Sequence, residues 1–166
     1  MIYRLATEKD ISEIGELVKS AIVQMEKHDI FQWDHIYPTV DDFRMDLNKK
    51  QLFVGILNED IAVVYVINKD CDDAYQNAEW KYPNSEFRVI HRLCVNPKYQ
   101  NQGVAKNTLK HIENGLLKEN VETIRLDVYT ENPFALSLYQ NNGYAKVGFA
   151  DWRKGRFFLM EKHLYI

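Results

Sequence analysis

The chain has 166 residues, of which 46% are hydrophobic, so it can bury the core of one compact domain, and we expect a single domain over residues 1–166. A formal net charge of −3 leaves no basic footprint, so we expect no nucleic acid among its partners. The two cysteines, Cys71 and Cys94, can form at most one disulfide, and neither has a Cys or His partner at ligand spacing, so we expect no metal site.

The amino-terminal segment predicts a strand rather than a targeting sequence. Ile2 to Leu5 is a short strand-like run, without the long apolar stretch of a signal peptide. No run of about 18 apolar residues occurs anywhere in the sequence, so we expect no membrane association. Together with the low cysteine usage, this favours a cytoplasmic location.

Two helices are predicted next, joined by an irregular connection. Thr7 is a candidate N-cap, with Asp10 three residues further on in a variant of the capping box. The helix then runs to about Lys27, because apolar residues recur at helical spacing: Ile11, Ile14, Leu17, Val18, Ala21, Ile22 and Met25. Residues 28–39 are aromatic and irregular, and a second helix is predicted from Val40 to about Lys49.

The middle of the chain predicts three strands. Gln51 to Leu57 and Ile61 to Ile67 are rich in β-branched and aromatic residues, and Asn58-Glu59-Asp60 forms the turn of a hairpin. Residues 68–86 are polar with embedded aromatic residues, and are too long for a plain connection. Phe87 to Val95 is predicted to be the next strand.

The last third of the chain alternates between helices and strands. A helix follows Gly103, a strand is predicted over Thr123 to Tyr129, and a shorter helix begins at Asn132-Pro133 and ends near Asn142-Gly143. Two final strands are expected at about 144–149 and 156–164. The order β-α-α-β-β-β-α-β-α-β-β predicts a mixed α/β domain.

One segment, Gln100-Asn-Gln-Gly-Val-Ala105, points to phosphate chemistry. It lies between a strand and an amphipathic helix, and it places Gly103 at the start of that helix. First-turn amides have no acceptors within a helix, and the helix dipole adds positive potential there. Small residues let a phosphate approach these N–H groups closely. By itself the pattern is equally compatible with a glycine that merely starts a helix.

The sequence resembles the GNAT superfamily of N-acetyltransferases at this segment. Gln100, Gly103 and Ala105 match the superfamily's coenzyme A motif, Arg/Gln-x-x-Gly-x-Gly/Ala. The preceding Leu93-Cys94-Val95-Asn96-Pro97 is similar to its apolar-Val-x-Pro strand end. The resemblance implies that main-chain amides from Gln100 to Lys106 hold the pyrophosphate, and that the strand end pairs with the pantetheine arm.

A second motif extends the resemblance over nearly the whole chain. The segment from Asn132 to Tyr139, followed by Asn142-Gly143-Tyr144, looks like the family's Asn, a helix with an Ala and a Tyr, and then Gly-Tyr/Phe. The implied fold is a single α/β (α+β) domain with a mixed, mostly antiparallel sheet of six or seven strands and about four helices. The implied activity is transfer of acetyl from acetyl-CoA to a primary amine by direct attack in a ternary complex. The alternative is a non-catalytic acyl-CoA sensor.

The resemblance also assigns candidate residues. The expected coenzyme-binding residues are Leu93, Cys94, Val95, Gln100, Asn101, Gln102, Gly103, Val104, Ala105, Lys106, Asn132, Ala135 and Tyr139. Tyr139 would act as the general acid towards the departing thiolate. An N-cap role for Asn132 and a core role for Tyr139 are the structural alternatives.

The general base is less well defined by the sequence. His91 occupies the position where many relatives carry a Glu, and a pKa of about 6.5 suits proton removal from an amine at neutral pH. A buried structural histidine is almost equally compatible, and Glu79 or Glu86 could serve instead. Cys94 beside a thioester raises the possibility of a covalent relay, but a small core residue is the stronger interpretation.

The acceptor site is expected in residues 28–39 and 72–86, both rich in aromatic and acidic residues. Trp33, Tyr37, Glu79 and Trp80 are the candidates, because aromatic rings and carboxylates attract a cationic amine. The alternative is that Trp33 and Tyr37 simply cap the core. The acceptor is a small-molecule amine or a peptide amino group. The late strands, which carry several aromatic residues, are a possible homodimer surface.

Overall fold

The computed structural model describes residues 1–165, in which the predicted order of strands and helices is present. The elements are β1 Ile2–Leu5, α1 Ile11–Glu26, α2 Val40–Asn48, β2 Leu52–Leu57, β3 Asp60–Asn68, β4 Phe87–Val95, α3 Val104–Lys118, β5 Thr123–Tyr129, α4 Pro133–Asn141, β6 Ala145–Trp152 and β7 Gly155–His163. Short 3-10 turns cover Glu8–Asp10, Asp73–Asn77 and Pro97–Tyr99.

Several element boundaries differ from the sequence prediction by one to three residues, and the two hairpins show why. The first hairpin turn contains only Asn58 and Glu59, both left-handed with φ of 50° and 70°, so Asp60 already belongs to β3. β6 continues to Trp152 rather than ending near residue 149, because Trp152 pairs with Gly155 across a tight turn. Hairpin geometry therefore lengthens strands that composition alone ends early.

The strands form one sheet with the order β1-β2-β3-β4-β5-β7-β6. β4 and β5 run parallel, whereas β1–β2, β2–β3, β5–β7 and β6–β7 are antiparallel pairs. A mixed, mostly antiparallel sheet of seven strands with four helices confirms the predicted fold class.

The chain divides into two compact units, each with its own packing. The first unit comprises Met1–Ile67 and His91–Thr108, and the second comprises Asn68–Ile90 and the chain from Leu109 onward. The strand β4 contributes residues to both. The expectation of a single domain over residues 1–166 stays a prediction.

In the first unit, α1 and α2 cover one face of the strands. α1 buries Ile11, Ile14, Leu17, Val18 and Ala21, which recur at the spacing of one helical face. They form a single cluster with Val54, Val64 and Val66 of the strands and with Cys94 of β4. Each fully buried aliphatic side chain of this kind contributes about 1.5–3 kcal/mol, so the cluster holds β4 firmly under the two helices.

In the second unit, the connection 68–86 packs against β6. A Cβ at Gly148 would lie 2.8 Å from Ala78 Cα, so only glycine allows this close approach. The Glu79 N–H donates to the Val147 carbonyl over 2.8 Å. Tyr75 is buried with Leu159 in the local core, so the segment is anchored despite its polar composition.

The chain that leads into the N-terminus of α1 is stabilised by a carboxylate rather than by a hydroxyl. The Asp10 carboxylate accepts the Thr7 N–H over 2.7 Å, which is the reciprocal half of the predicted capping box. Arg4 donates to both Asp10 oxygens, over 2.7 and 2.9 Å. The Arg4 guanidinium, helped by the Thr7 N–H, lowers the pKa of Asp10 from 3.8 to about 2.

Asp10 should therefore make folding pH-dependent. Because its pKa is lower in the folded chain, its contribution is complete above pH ~4 and is lost as the pH falls towards about 2. We expect Asp10→Asn to lower the free energy of unfolding at pH 7 by about 1 kcal/mol, a value discounted for solvent screening at the half-exposed Arg4. Urea unfolding at pH 7 and pH 2 measures this, and the difference from wild type should vanish at the lower pH. The control Glu16→Gln removes an exposed pair with Lys19 and should have little effect at either pH.

Candidate active site

The end of β4 is tied to its neighbouring strand by Asn96. The Asn96 N–H donates to the Ala62 carbonyl over 2.8 Å, and its Nδ2 donates to the Ile61 carbonyl over 3.1 Å. The Asn96 Oδ1 in turn accepts the Lys98 N–H over 3.0 Å, which starts the following 3-10 turn. The position at which the chain leaves the sheet is therefore set by one side chain.

The segment after this turn is anchored on the β2–β3 hairpin. The Tyr99 ring is buried, and its hydroxyl lies 2.6 Å from the Asp60 carboxylate. Lys98 forms an ion pair with the same carboxylate. The Gln102 side chain donates back to the Lys98 carbonyl over 3.1 Å. These contacts with the hairpin and within the turn hold the loop that precedes α3 in a defined conformation.

Gly103 directly precedes the first residue of α3. It is left-handed, with φ of 77°, and Asn101 two residues earlier has φ of 59°. The residues from Gln100 to Gly103 are exposed, whereas Val104 is buried. A Cβ built on Gly103 would have only Asn107 Nδ2 nearby, at 3.9 Å, so the space in front of the helix is open. The exposed loop, the free space and the first-turn amides fit a diphosphate.

The strand β4 does not alternate regularly. Arg92 has φ of 49°, a left-handed conformation unusual inside a strand. Ile90 is buried, the three residues from His91 to Leu93 are half-buried, and Cys94 is buried again. Because of this interruption, the alternation of side chains from Val89 does not predict which residues further along β4 are buried. His91 is accordingly half-buried rather than enclosed in the core, and its role as base stays a prediction.

Arg92 is a residue that sequence reasoning missed. Its Nε and Nη2 donate to the two oxygens of Asp46 in α2, over 2.9 and 2.6 Å. Its Nη1 donates to the Tyr37 hydroxyl over 2.8 Å. No local sequence signal relates Arg92 to Asp46, which lies 46 positions earlier in the chain.

The thiol of Cys94 has the properties of a core residue. Its side chain is buried among the apolar residues of α1, α2 and the strands. Burial raises the pKa of the Cys94 thiol to about 12, so the thiolate is negligible at neutral pH. Cys94 and the exposed Cys71 are both free thiols. These observations argue against the covalent relay and leave direct attack as the simpler chemistry.

In the second unit, Asn132 and Tyr139 are both buried at opposite ends of α4. The Asn132 Oδ1 accepts the Ala135 N–H over 3.0 Å, so Asn132 caps the helix. Burial, with a smaller contribution from the charge of Asp127, raises the pKa of Tyr139 and keeps its hydroxyl protonated. Coenzyme contact by Asn132, Ala135 and Tyr139 stays a prediction.

The Tyr139 ring packs against Tyr144, which is itself part of a cluster of polar side chains. It packs edge-on against the Tyr144 ring, with centroids 5.6 Å apart. The Tyr144 hydroxyl donates to Glu113 over 3.1 Å, and Lys162 donates to the other Glu113 oxygen over 2.8 Å. A buried aromatic pair of this geometry restricts ring motion, so the Tyr139 hydroxyl has a defined position.

Asp127 is a second residue that sequence reasoning missed. Its carboxylate accepts the buried Tyr75 hydroxyl over 2.7 Å, and its charge contributes to the raised pKa of Tyr139. The available signal was the only carboxylate of strand β5, which lies a few residues before the Asn132 motif. A half-buried carboxylate so near the expected acid can attract an ammonium group or accept its proton.

The candidate acceptor residues lie in different settings. Trp33 packs against the core of the first unit, whereas Tyr37 is exposed and bonded to Arg92. Glu79 is exposed. The Trp80 Nε1 donates to the Tyr75 carbonyl over 2.9 Å, and the Arg125 guanidinium lies 4.3 Å from a Trp80 ring centroid. Trp33 and Trp80 thus have structural contacts, and acceptor binding by all four residues stays a prediction.

Residues 1–165 contain neither a cluster of metal-binding side chains nor a helix that could span a membrane. In that range, no group of three or more His, Cys, Asp or Glu residues is placed to hold a metal ion. None of the helices described there combines the length and apolar character needed to cross a membrane.

Comparison with known proteins places this geometry in a family. A model of the Acetyltransferase (GNAT) family matches residues 22–144. A ribosomal-protein-alanine N-acetyltransferase of Escherichia coli is 34% identical over 56 residues, which cover 34% of this chain and 38% of that enzyme. The match therefore spans well under half of the curated relative.

Solved structures agree over almost the full length. A GNAT-family acetyltransferase from Streptococcus agalactiae superimposes with a TM-score of 0.86 at 21% identity, covering 98% of this chain and 94% of that one. The NatC complex bound to Gag peptide and CoA gives a TM-score of 0.71 at 18% identity, covering 99% and 98%. At these identities the structural likeness establishes the fold. Since the family model also covers most of the sequence, including the phosphate loop and the α4 motif, the chain belongs to the Acetyltransferase (GNAT) family.

Proposed function

We propose that this chain is an N-acetyltransferase that moves an acetyl group from acetyl-CoA to a primary amine by direct attack in a ternary complex. The observation that carries the proposal is the preorganised loop that ends in the left-handed Gly103, within a chain of the acetyltransferase family. A non-catalytic acyl-CoA sensor was the alternative, and no feature of the described residues favours it. The two free thiols suit the reducing cytoplasm, which we propose as the location.

The proposed donor site uses main-chain groups. The amides from Gln100 to Lys106 would bind the diphosphate of acetyl-CoA, because first-turn N–H groups and the helix dipole favour anions. The main chain of Leu93 to Val95 would hold the pantetheine arm and supply a donor to the developing oxyanion. A similar protein, the NatC complex, is bound to CoA in its crystal structure, which supports this choice of donor.

The proposed chemistry needs a free amine and an acid. An alkyl ammonium must lose a proton before it attacks the thioester, and His91 or Asp127 would accept that proton. Tyr139 would protonate the departing thiolate. Burial raises the pKa of Tyr139, so the hydroxyl still carries the proton that an acid must donate at neutral and mildly alkaline pH.

The acceptor is proposed as a peptide amino group or a small amine. The Escherichia coli relative acts on an alanine of a ribosomal protein, which makes peptide amino termini the first acceptors to test. We also propose that the chain can form a homodimer, with the aromatic residues of the late strands as the candidate surface.

The first prediction concerns the donor site. Gly103→Ala should weaken acetyl-CoA binding at least about tenfold in calorimetry, because the new methyl group enters open space that the diphosphate would occupy. The stability cost should stay near ~1 kcal/mol, the strain of a left-handed alanine. Acetyl-pantetheine lacks the diphosphate, so its kcat/KM should hardly change in the variant. Equal losses with both donors would contradict a diphosphate site at Gly103.

Gly115→Ala provides the matched control. A Cβ at Gly115 has no atom within 4 Å, and the residue lies inside α3. This variant should gain about 0.5–1 kcal/mol of stability through helix propensity and should bind acetyl-CoA like wild type.

The second prediction concerns turnover. Wild type should release thiol from acetyl-CoA with at least one amine in a panel of peptides, amino acids and polyamines. Tyr139→Phe should lower kcat about 100-fold and leave the KM for acetyl-CoA nearly unchanged, because the acid acts only as the bond breaks. Its raised pKa also predicts no alkaline decline in wild-type kcat from Tyr139 below pH ~10.

Tyr65→Phe is the control for loss of a buried hydroxyl. Tyr65 is 1% exposed in β3, and its ring stacks on Phe53. Loss of the Tyr65 hydroxyl should not alter kcat. If Tyr139→Phe turns over like Tyr65→Phe, the acid is another group.

A further inference from the structure

The feature with no role so far is the ion pair at the irregular position of β4. Arg92 is left-handed, a conformation in which residues other than Gly, Asn and Asp are uncommon. Such outliers persist only where surrounding contacts enforce them. At this position the Arg92 side chain makes three hydrogen bonds that could supply such contacts.

The Arg92 side chain is held on two sides. The paired donation to Asp46 matches the planar fork of a guanidinium to a carboxylate, and the third bond reaches the Tyr37 hydroxyl. The side-chain exposure is 16% for Arg92 and 7% for Asp46. Rotation of Arg92 about its backbone would break all three bonds.

Stabilisation of the folded chain does not by itself explain why the Arg92–Asp46 pair is buried. Burial raises the pKa of Asp46 above its ordinary value, and Arg92 only partly offsets that rise. The direction of this shift shows that burial of the charged Asp46 carboxylate costs free energy of desolvation, and that the Arg92 charge does not fully offset this cost. Replacing such pairs by apolar residues is often neutral or stabilising, so burial and strain together suggest a positional role.

The location of the pair indicates what it positions. Arg92 lies directly between His91 and the segment Leu93 to Val95, which carries the thioester in the proposed function. Asp46 belongs to α2, and Tyr37 belongs to the connection 28–39 proposed to contact the acceptor. One guanidinium therefore joins the thioester strand to both elements.

We propose that the Arg92–Asp46 pair, with Tyr37, is a positioning device that fixes the β4 irregularity and thereby aims the Leu93–Val95 main chain at the thioester. This inference rests on the proposed function. The pair does not touch the reacting atoms. It keeps a main-chain donor where the oxyanion develops, an arrangement in which small displacements cause large losses of rate.

The test compares two Arg–Asp pairs of the same unit. Arg92→Lys and Asp46→Asn remove the fork at β4, and lysine does not reproduce paired donation. Arg4→Lys and Asp10→Asn make the same changes in the pair that enters α1. We expect the β4 variants to lose about 10- to 100-fold in kcat, with the KM for acetyl-CoA within about twofold of wild type. The Arg4 and Asp10 variants should keep wild-type kcat.

Two further variants keep the test decisive if Arg92→Lys does not fold. Arg92→Gly accepts the left-handed conformation without strain but lacks the tether, so it should also lose kcat about tenfold or more. Tyr37→Phe removes one hydroxyl from an exposed side chain and should lower kcat by about threefold.

The outcomes separate this inference from the proposed function. Wild type that releases no thiol with any amine overturns the proposed function. With active wild type, the inference fails if Arg92→Gly keeps full kcat, or if both ion pairs give equal losses. It also fails if the KM for acetyl-CoA rises while kcat is constant, because Arg92 would then serve binding. A selective fall in kcat at the β4 pair supports it.

Discussion

The structure depends on how the chain leaves the sheet at the end of β4. Two bonds from Asn96 to the adjacent strand fix that exit, and Tyr99 and Lys98 anchor the next residues on Asp60. The first turn of α3 is thereby presented with its amides unengaged within the helix and with open space before Gly103. An anion site made from main-chain groups requires such rigidity, because peptide dipoles stabilise charge only when they are already oriented.

The position and the protonation state of Tyr139 in α4 are also constrained by the structure. Asn132 defines where that helix starts, and the Tyr144–Glu113–Lys162 cluster limits the movement of the Tyr139 ring. Burial keeps Tyr139 protonated, which suits proton donation and is unsuitable for a nucleophile. The same physical effect makes Cys94 inert, since a thiol buried among aliphatic side chains cannot ionise near neutral pH.

In each unit, one charged side chain contacts residues that are far from it in the sequence. Arg92 reaches Asp46 and Tyr37 from a strained strand position, and Asp127 receives the hydroxyl of Tyr75 from a long polar connection. Each of these contacts places a half-buried charge beside residues with expected catalytic roles.

Local patterns were sufficient to predict every helix and strand, because hydrophobic periodicity, glycine and capping residues act over a few positions. They also predicted that a helix starts directly after Gly103, whereas phosphate binding at that helix stays a prediction. Periodicity failed at Arg92, where a tertiary ion pair accompanies a left-handed residue within a strand. The contacts of Trp80 with Tyr75 and Arg125 depend on folding of the connection 68–86, so no local pattern predicts them. Partners separated by tens of residues have no local signature, so only the folded chain reveals the pairs Arg92–Asp46 and Tyr75–Asp127.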